Sequence, residues 1–204
     1  MAISDKFERV LGNTIRLSAP AGRQMVALAT QWFRHMADSV SRPTPTKLMS
    51  HDPSRLVDTL NRSSVGKMYM FFYNPKTKKK LPYYDTFPLI FPLRVNRGRI
   101  LGINLHYLPP LLRAKLMDAL YSTLNNKKFN DTTRLKISYD ILRSAAKYRY
   151  FRPCLKSYLF SHVKSRFYHV KSEDWEKVIM LPVERFQKRP KTFVWKDSVA
   201  RMGR

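Results

Sequence analysis

The sequence predicts an α+β protein, in which a small antiparallel sheet packs against a C-terminal helical bundle and follows an N-terminal helical arm. Residues 65–108 combine β-forming residues with turn residues, which is typical of short paired strands. Apolar residues after position 109 repeat at helical spacing. The proline-containing segment 41–47 reads as a linker. We therefore divide the chain into an arm and linker (1–47), a core domain (48–190) and a basic tail (191–204).

The N-terminal arm carries an amphipathic segment. Between residues 22 and 37, large apolar side chains recur at helical spacing, so one face of the predicted helix is apolar. Such a face either packs in the core or docks on a partner. The predicted partner-docking residues are Met25, Leu28, Trp32 and Phe33.

The central segment predicts a sheet built around two turns. Asn74–Lys80 (NPKTKKK) has turn chemistry and is expected to be an exposed cationic turn. The NRG tripeptide 96–98 predicts a tight turn between two strands. Phe87–Leu93 contains two prolines, which favours an edge strand because proline cannot donate a hydrogen bond to a neighbouring strand.

Three helices are predicted after the sheet. The first follows Pro109 and repeats leucine every fourth residue; the second begins after Asn130 and ends before Pro153; the third runs from Leu155 to about Arg166. The segment from Pro182 to the end mixes prolines and basic residues, so we expect an extended, partly unpacked tail.

Charge limits the classes of partner. The chain has 39 Lys and Arg against 14 Asp and Glu, a formal net charge of +25, and such self-repulsion favours a polyanionic partner. Anionic lipid is one alternative, but the charge is spread along most of the chain, which favours nucleic acid. No uncharged run near the start reaches the roughly 20 residues of a spanning helix, so no membrane insertion is expected.

The single cysteine, Cys154, excludes an internal disulfide and a multi-cysteine zinc site.

Two zones of the sequence combine cations with aromatic residues and almost no acids. Between Thr59 and Met117 the only acid is Asp85, against eleven Lys or Arg, and between Ile141 and Ser172 there is none, against eight. Cations bind phosphates, and aromatic rings can stack on exposed bases. The predicted DNA-binding residues are Lys76, Lys78, Lys79, Lys80, Tyr83, Tyr84, Lys136, Arg143, Lys147, Arg149, Arg152, Lys156, Lys164 and Arg166.

Catalysis has less support. The candidate carboxylates for a metal-dependent nuclease, Asp85, Asp118, Asp131 and Asp140, are dispersed along the chain. His106 is expected to be a hydrogen-bonded structural residue, and no nucleotide-binding loop is present. We therefore predict a protein without catalytic residues, metal or cofactor.

Four segments together carry a resemblance to a known family: KMYMFFYNPKTKKKLPYYDTFPLIFPL, GINLHYLPPLLRAKLMDAL, RLKISYD and VIMLPVERFQK. In these segments the chain resembles the DNA end protector proteins of T-even-like tailed phages. The resemblance covers roughly residues 65–190 and does not extend to the N-terminal arm.

The resemblance implies a virion protein that caps the ends of packaged linear double-stranded DNA and shields them from host exonuclease on injection. It implies a location in the virion, and in the host cytoplasm during assembly and after injection, with other virion subunits as partners. It transfers no catalytic or DNA-contact residues. A structural protein of the phage neck, tail or baseplate is the first alternative, a phage nuclease is the second, and self-association into a homo-oligomer stays open.

Overall fold

A computed structural model describes residues 45–109, 112–113 and 149–202. The arm residues Met25, Leu28, Trp32 and Phe33 lie outside these ranges. So do nearly all of the first predicted helix and most of the second.

The described chain is built around a six-stranded antiparallel sheet with the strand order β1-β7-β2-β4-β5-β6. A separate two-stranded ribbon pairs β3 with β8. The strands are β1 (Leu56–Val57), β2 (Met68–Met70), β3 (Tyr84–Asp85), β4 (Leu89–Asn96), β5 (Arg99–Asn104), β6 (Leu155–Leu159), β7 (Phe167–Val170) and β8 (Phe186–Gln187). The α-helices are α1 (Pro45–His51), α2 (Trp175–Met180) and α3 (Lys191–Met202).

Both faces of the sheet are apolar. Successive side chains of a strand point to opposite faces, and consecutive strand residues such as Met68 and Tyr69 are both apolar and buried. One cluster joins Met68, Met70 and Phe91 to residues of α2 and α3, including Trp175 and Val194. The other cluster is rich in rings on the opposite face and contains Tyr69, Phe71, Ile90, Ile100, Tyr158 and Phe167. The sheet is therefore the centre of the core.

The predicted hairpin around residues 96–98 is confirmed, with β4 and β5 as its strands. Gly98 occupies the left-handed region at φ +81°, which glycine adopts at little cost. The prediction that Phe87–Leu93 is an edge strand is wrong, because β4 lies between β2 and β5. Pro92 is accommodated there by a register shift between Pro92 and Arg94, a bulge at which the missing N–H costs little.

The predicted third helix, Leu155–Arg166, is wrong. Residues Leu155–Leu159 form β6, paired with β5, and a 3-10 turn follows at Phe160–His162. Pairing with β5 outweighs local helix propensity, which is a weak preference. The described residues show no helical bundle, so of the predicted architecture the structure supports the α+β class and the antiparallel sheet.

The expected extended conformation of the tail is also wrong, because Lys191–Met202 form α3. Val194, Ser198 and Met202 follow one another at steps of four and are buried. The division of the chain into three domains stays a prediction.

Candidate nucleic-acid interface

A cleft of about 430 Å³ follows the free edge of the sheet at β6. All five residues of β6 line it, so it is contacted from both faces of the strand. The opposite wall is formed by residues of the segment 75–85, which includes part of the cationic turn. The lysine-rich turn therefore lies beside an unpaired sheet edge.

The cleft is bounded at one end by backbone contacts. The Asn74 N–H donates to the His162 carbonyl at 3.0 Å, and Tyr73 forms an antiparallel bridge with Val163. At the same end, the Leu159 N–H donates to the Tyr73 hydroxyl at 3.2 Å. These bonds join the start of the turn to the residues that follow β6, so the two walls meet there.

Lys188 holds the turn in place from the other side. Its ammonium donates to the carbonyl oxygens of Lys79, at 3.0 Å, and Leu81, at 2.6 Å. Lys188 also has a φ of +69°, a conformation that costs a non-glycine residue of the order of 1 kcal/mol or more. This cation has a structural role, because its donors point at the protein backbone.

Three cations line the cleft: Lys76, Arg99 and Lys156. Within the described ranges, none of the three forms an ion pair. The Lys156 ammonium lies 3.9 Å from the centre of the Tyr107 ring, a cation–π contact. Burial lowers the pKa of Lys156 to about 8, although the charge of Asp197 opposes part of this shift. The ammonium is therefore poorly solvated.

Five tyrosines line the same cleft, but they differ in exposure. Tyr73 and Tyr83 are 8% exposed, Tyr107 and Tyr158 are 4% exposed, and Tyr84 is half-buried. The Tyr83 hydroxyl donates to Asp197 of α3. Burial raises the pKa of Tyr83 well above its ordinary value, and the hydrogen bond to Asp197 adds to this shift. Of the two tyrosines predicted to stack on a base, Tyr84 is the more accessible.

Asp85 is the one carboxylate that lines the cleft, and its oxygens are hydrogen-bonded to residues of the core. It accepts hydrogen bonds from His106 Nδ1 at 2.7 Å, from Asn104 Nδ2 at 3.0 Å and from the Phe87 N–H at 2.9 Å. The Asn104 amide also bonds to the Tyr158 hydroxyl at 3.0 Å. Burial alone would raise the pKa of Asp85, but the charge and hydrogen bonds of these partners hold it below its ordinary value. The prediction that His106 is hydrogen-bonded is confirmed, and its side chain is fully buried.

The other predicted cations are distributed unevenly. Lys78, Lys79 and Lys80 are exposed on the turn, and the Lys78 ammonium lies 3.3 Å from Asn74 Oδ1. Arg152 and Lys164 are exposed, whereas Arg166 pairs with Asp58 at 2.6 Å. Lys136, Arg143 and Lys147 lie outside the described residues, and of Arg149 only the backbone, in a 3-10 turn, is described.

Sequence reasoning missed three residues of the cleft region: Arg99, Ser157 and Lys188. Arg99 belongs to the first acid-poor zone, and attention to the cations beside the NRG turn could have identified it. Ser157 and Lys188 carry no signal in the sequence, because only the pairing of β6 and the position of the turn define their roles.

In the described part of the chain, the remaining reactive groups form no metal-binding cluster, and the cysteine is buried. Among the residues that the structure describes, no three His, Cys, Asp or Glu side chains are grouped so as to hold a metal ion. Cys154 is fully buried, and burial raises the pKa of its thiol to about 12. No helix in the described part of the chain is long and apolar enough to cross a membrane.

The fold and the cleft together define a basic α+β protein whose cationic turn flanks an open sheet edge. A family model described as the phage T4 terminal DNA protecting protein matches residues 20–201. The chain therefore belongs to this family of bacteriophage proteins that protect DNA ends. No curated protein and no solved structure matches the chain.

Proposed function

We propose that this protein binds the ends of packaged linear double-stranded DNA and shields them without catalysis, chiefly through contacts to phosphates. Family membership supports protection of DNA termini. The mode of binding is supported by one observation: exposed cations surround a cleft whose only lining carboxylate is buried and bonded to His106.

The cationic turn supplies the outer contacts in this proposal. Lys76, Lys78, Lys79 and Lys80 are all exposed, and within the described ranges none of them forms an ion pair. Charges of this kind release counterions when they meet phosphates. Arg152, Lys156 and Lys164 would extend the surface, and Tyr84 would stack on a frayed terminal base.

The proposal extends to the surroundings of the protein. It would act in the virion and, after injection, in the host cytoplasm, with other virion subunits as neighbours. The predicted arm face of Met25, Leu28, Trp32 and Phe33 is the proposed docking surface for a neighbouring subunit or a second copy.

Replacement of Lys76, Lys78, Lys79 and Lys80 by glutamine tests the role of the turn. We expect weaker binding to every DNA sequence and loss of exonuclease protection for linear duplex. The wild type should show a slope of log K against log salt of magnitude about 5 or more, because 6 to 10 phosphate contacts contribute about 0.9 each. In the variant, this slope should fall by about 3 to 4.

A matched variant removes four other cations outside the turn and the cleft lining: Arg62, Lys67, Arg94 and Lys196. It has the same net charge as the turn variant, so a general effect of charge would weaken both equally. Equal binding of the wild type to linear and closed circular duplex, without protection from exonuclease, would contradict the proposed function.

A further inference from the structure

We propose that the cleft beside β6 holds the phosphorylated terminal nucleotide of one DNA strand, an inference that rests on the proposed function. The occupant is thus a single nucleotide with a terminal phosphomonoester, frayed from the duplex. The outer surface would hold the duplex, and the cleft would recognise its end.

The charges of the cleft favour a phosphate. Lys76, Arg99 and Lys156 approach it from the turn, from β5 and from β6, and none has an ion-pair partner among the described residues. Lys156 is the informative one, because its ammonium is partly buried against the Tyr107 ring. A buried charge is normally paired directly. Asp197 acts on Lys156 through its charge but is bonded to Tyr83 and Arg201, so an anion in the cleft would supply a direct partner.

The free edge of β6 adds a backbone donor. The Leu159 N–H points away from β5, since it donates to the Tyr73 hydroxyl, and the Phe160 N–H points inward to Gly98. N–H groups alternate in direction along an antiparallel strand, so the Ser157 N–H also points outward, into the cleft. Ser157 lines the cleft with an exposed side chain, so both its hydroxyl and its N–H can donate to a phosphate oxygen.

Size and shape favour an end over an internal stretch of DNA. A volume of about 430 Å³ lies within the range of about 300–1,000 Å³ that is typical of small-molecule sites, and it excludes a duplex. The bonds between Asn74 and His162 join the walls at one end. Closure at one end favours a terminal nucleotide over a continuous strand.

Binding to defined DNA ends tests the inference. The probes are duplexes with a short frayed end that carries a 5′-phosphate, a 5′-hydroxyl, a 3′-phosphate or a 3′-hydroxyl, and a closed circular duplex. We expect one phosphorylated end to bind about tenfold tighter than its hydroxyl counterpart, equivalent to about 1.4 kcal/mol or one charge-assisted hydrogen bond. Lys156→Met should abolish this preference, and it should weaken binding to the circle no more than the loss of one exposed surface cation does.

The control variant is Lys196→Met, which removes an exposed cation outside the cleft and should keep the preference. Arg99→Gln is the second test variant and decides the matter if Lys156→Met fails to fold. Equal affinity for phosphate and hydroxyl ends, or a preference that survives both cleft variants, would overturn the inference. If exonuclease protection persists in that case, the proposed function stands; if the wild type gives no protection, both proposals fail.

Discussion

Asp85 is isolated from other acids in the sequence, but in the structure it is buried and hydrogen-bonded within the core. It is the single carboxylate in a zone of eleven cations, but its side chain is only 1% exposed and bonds to His106, Asn104 and the Phe87 backbone. This arrangement joins β3 to the end of β5. Removing one partner of such a buried pair leaves the other without compensation.

Asp85→Asn should therefore destabilise the protein by about 3 kcal/mol, measured by denaturant unfolding at pH 7. The pKa of Asp85 is lower in the folded state, so its contribution is present above the ordinary value of 3.8 and is lost as pH falls below it. The variant should lose this part of the acid dependence. Asp58→Asn is the control, because the Asp58 side chain is 82% exposed and a change of less than about 0.5 kcal/mol is expected. Equal effects of the two variants would contradict the structural role of Asp85.

At the scale of elements, the cationic turn and β6 form the cleft only because other segments hold them. Two backbone hydrogen bonds lie within the turn. The Lys78 N–H donates to the Pro75 carbonyl at 3.4 Å, and the Lys80 N–H donates to the Thr77 carbonyl at 2.9 Å. Its position depends on Lys188, which bonds the carbonyl groups of Lys79, inside the turn, and of Leu81, directly after it. A rigid turn loses less conformational entropy when it binds DNA.

Lys188→Met should loosen the turn while preserving the length of the side chain. We expect several-fold faster hydrogen exchange at the amides of Lys78 and Lys80, because two charge-assisted hydrogen bonds are lost. DNA affinity should fall by more than the removal of one charge explains. Arg185→Gln serves as the control, because it removes an exposed charge directly before β8. Unchanged exchange in Lys188→Met would show that the turn is held by other contacts.

The whole molecule carries a net charge of +25, which opposes the compact state. The described ion pairs neutralise only part of it, and the exposed cations of the turn stay without acids beside them. The free protein is therefore expected to be less stable than the protein bound to a polyanion.

Thermal unfolding at increasing NaCl concentration checks this expectation. Between about 0.01 M and 0.1 M salt the Debye length falls from roughly 30 Å to 10 Å, which screens the repulsion between surface cations. We expect the Tm to rise by about 2–4 °C for each kcal/mol gained. The variant that lacks the four turn lysines should show a smaller rise, and a Tm that falls with salt would contradict the expectation.

The sequence by itself determined the α+β class, the hairpin around Gly98, the exposed turn at 74–80 and the basic character that suits DNA. These features are local or compositional: turn residues, strand-forming residues and charge act over a few positions. Only the tertiary structure decided that Leu155–Leu159 is a strand, that β4 is internal and that the last twelve described residues form a helix. These outcomes depend on pairing and burial between distant segments, which a local pattern does not contain. The cleft belongs to the second group, because Lys76, Arg99 and Lys156 meet only when β6 joins the sheet edge.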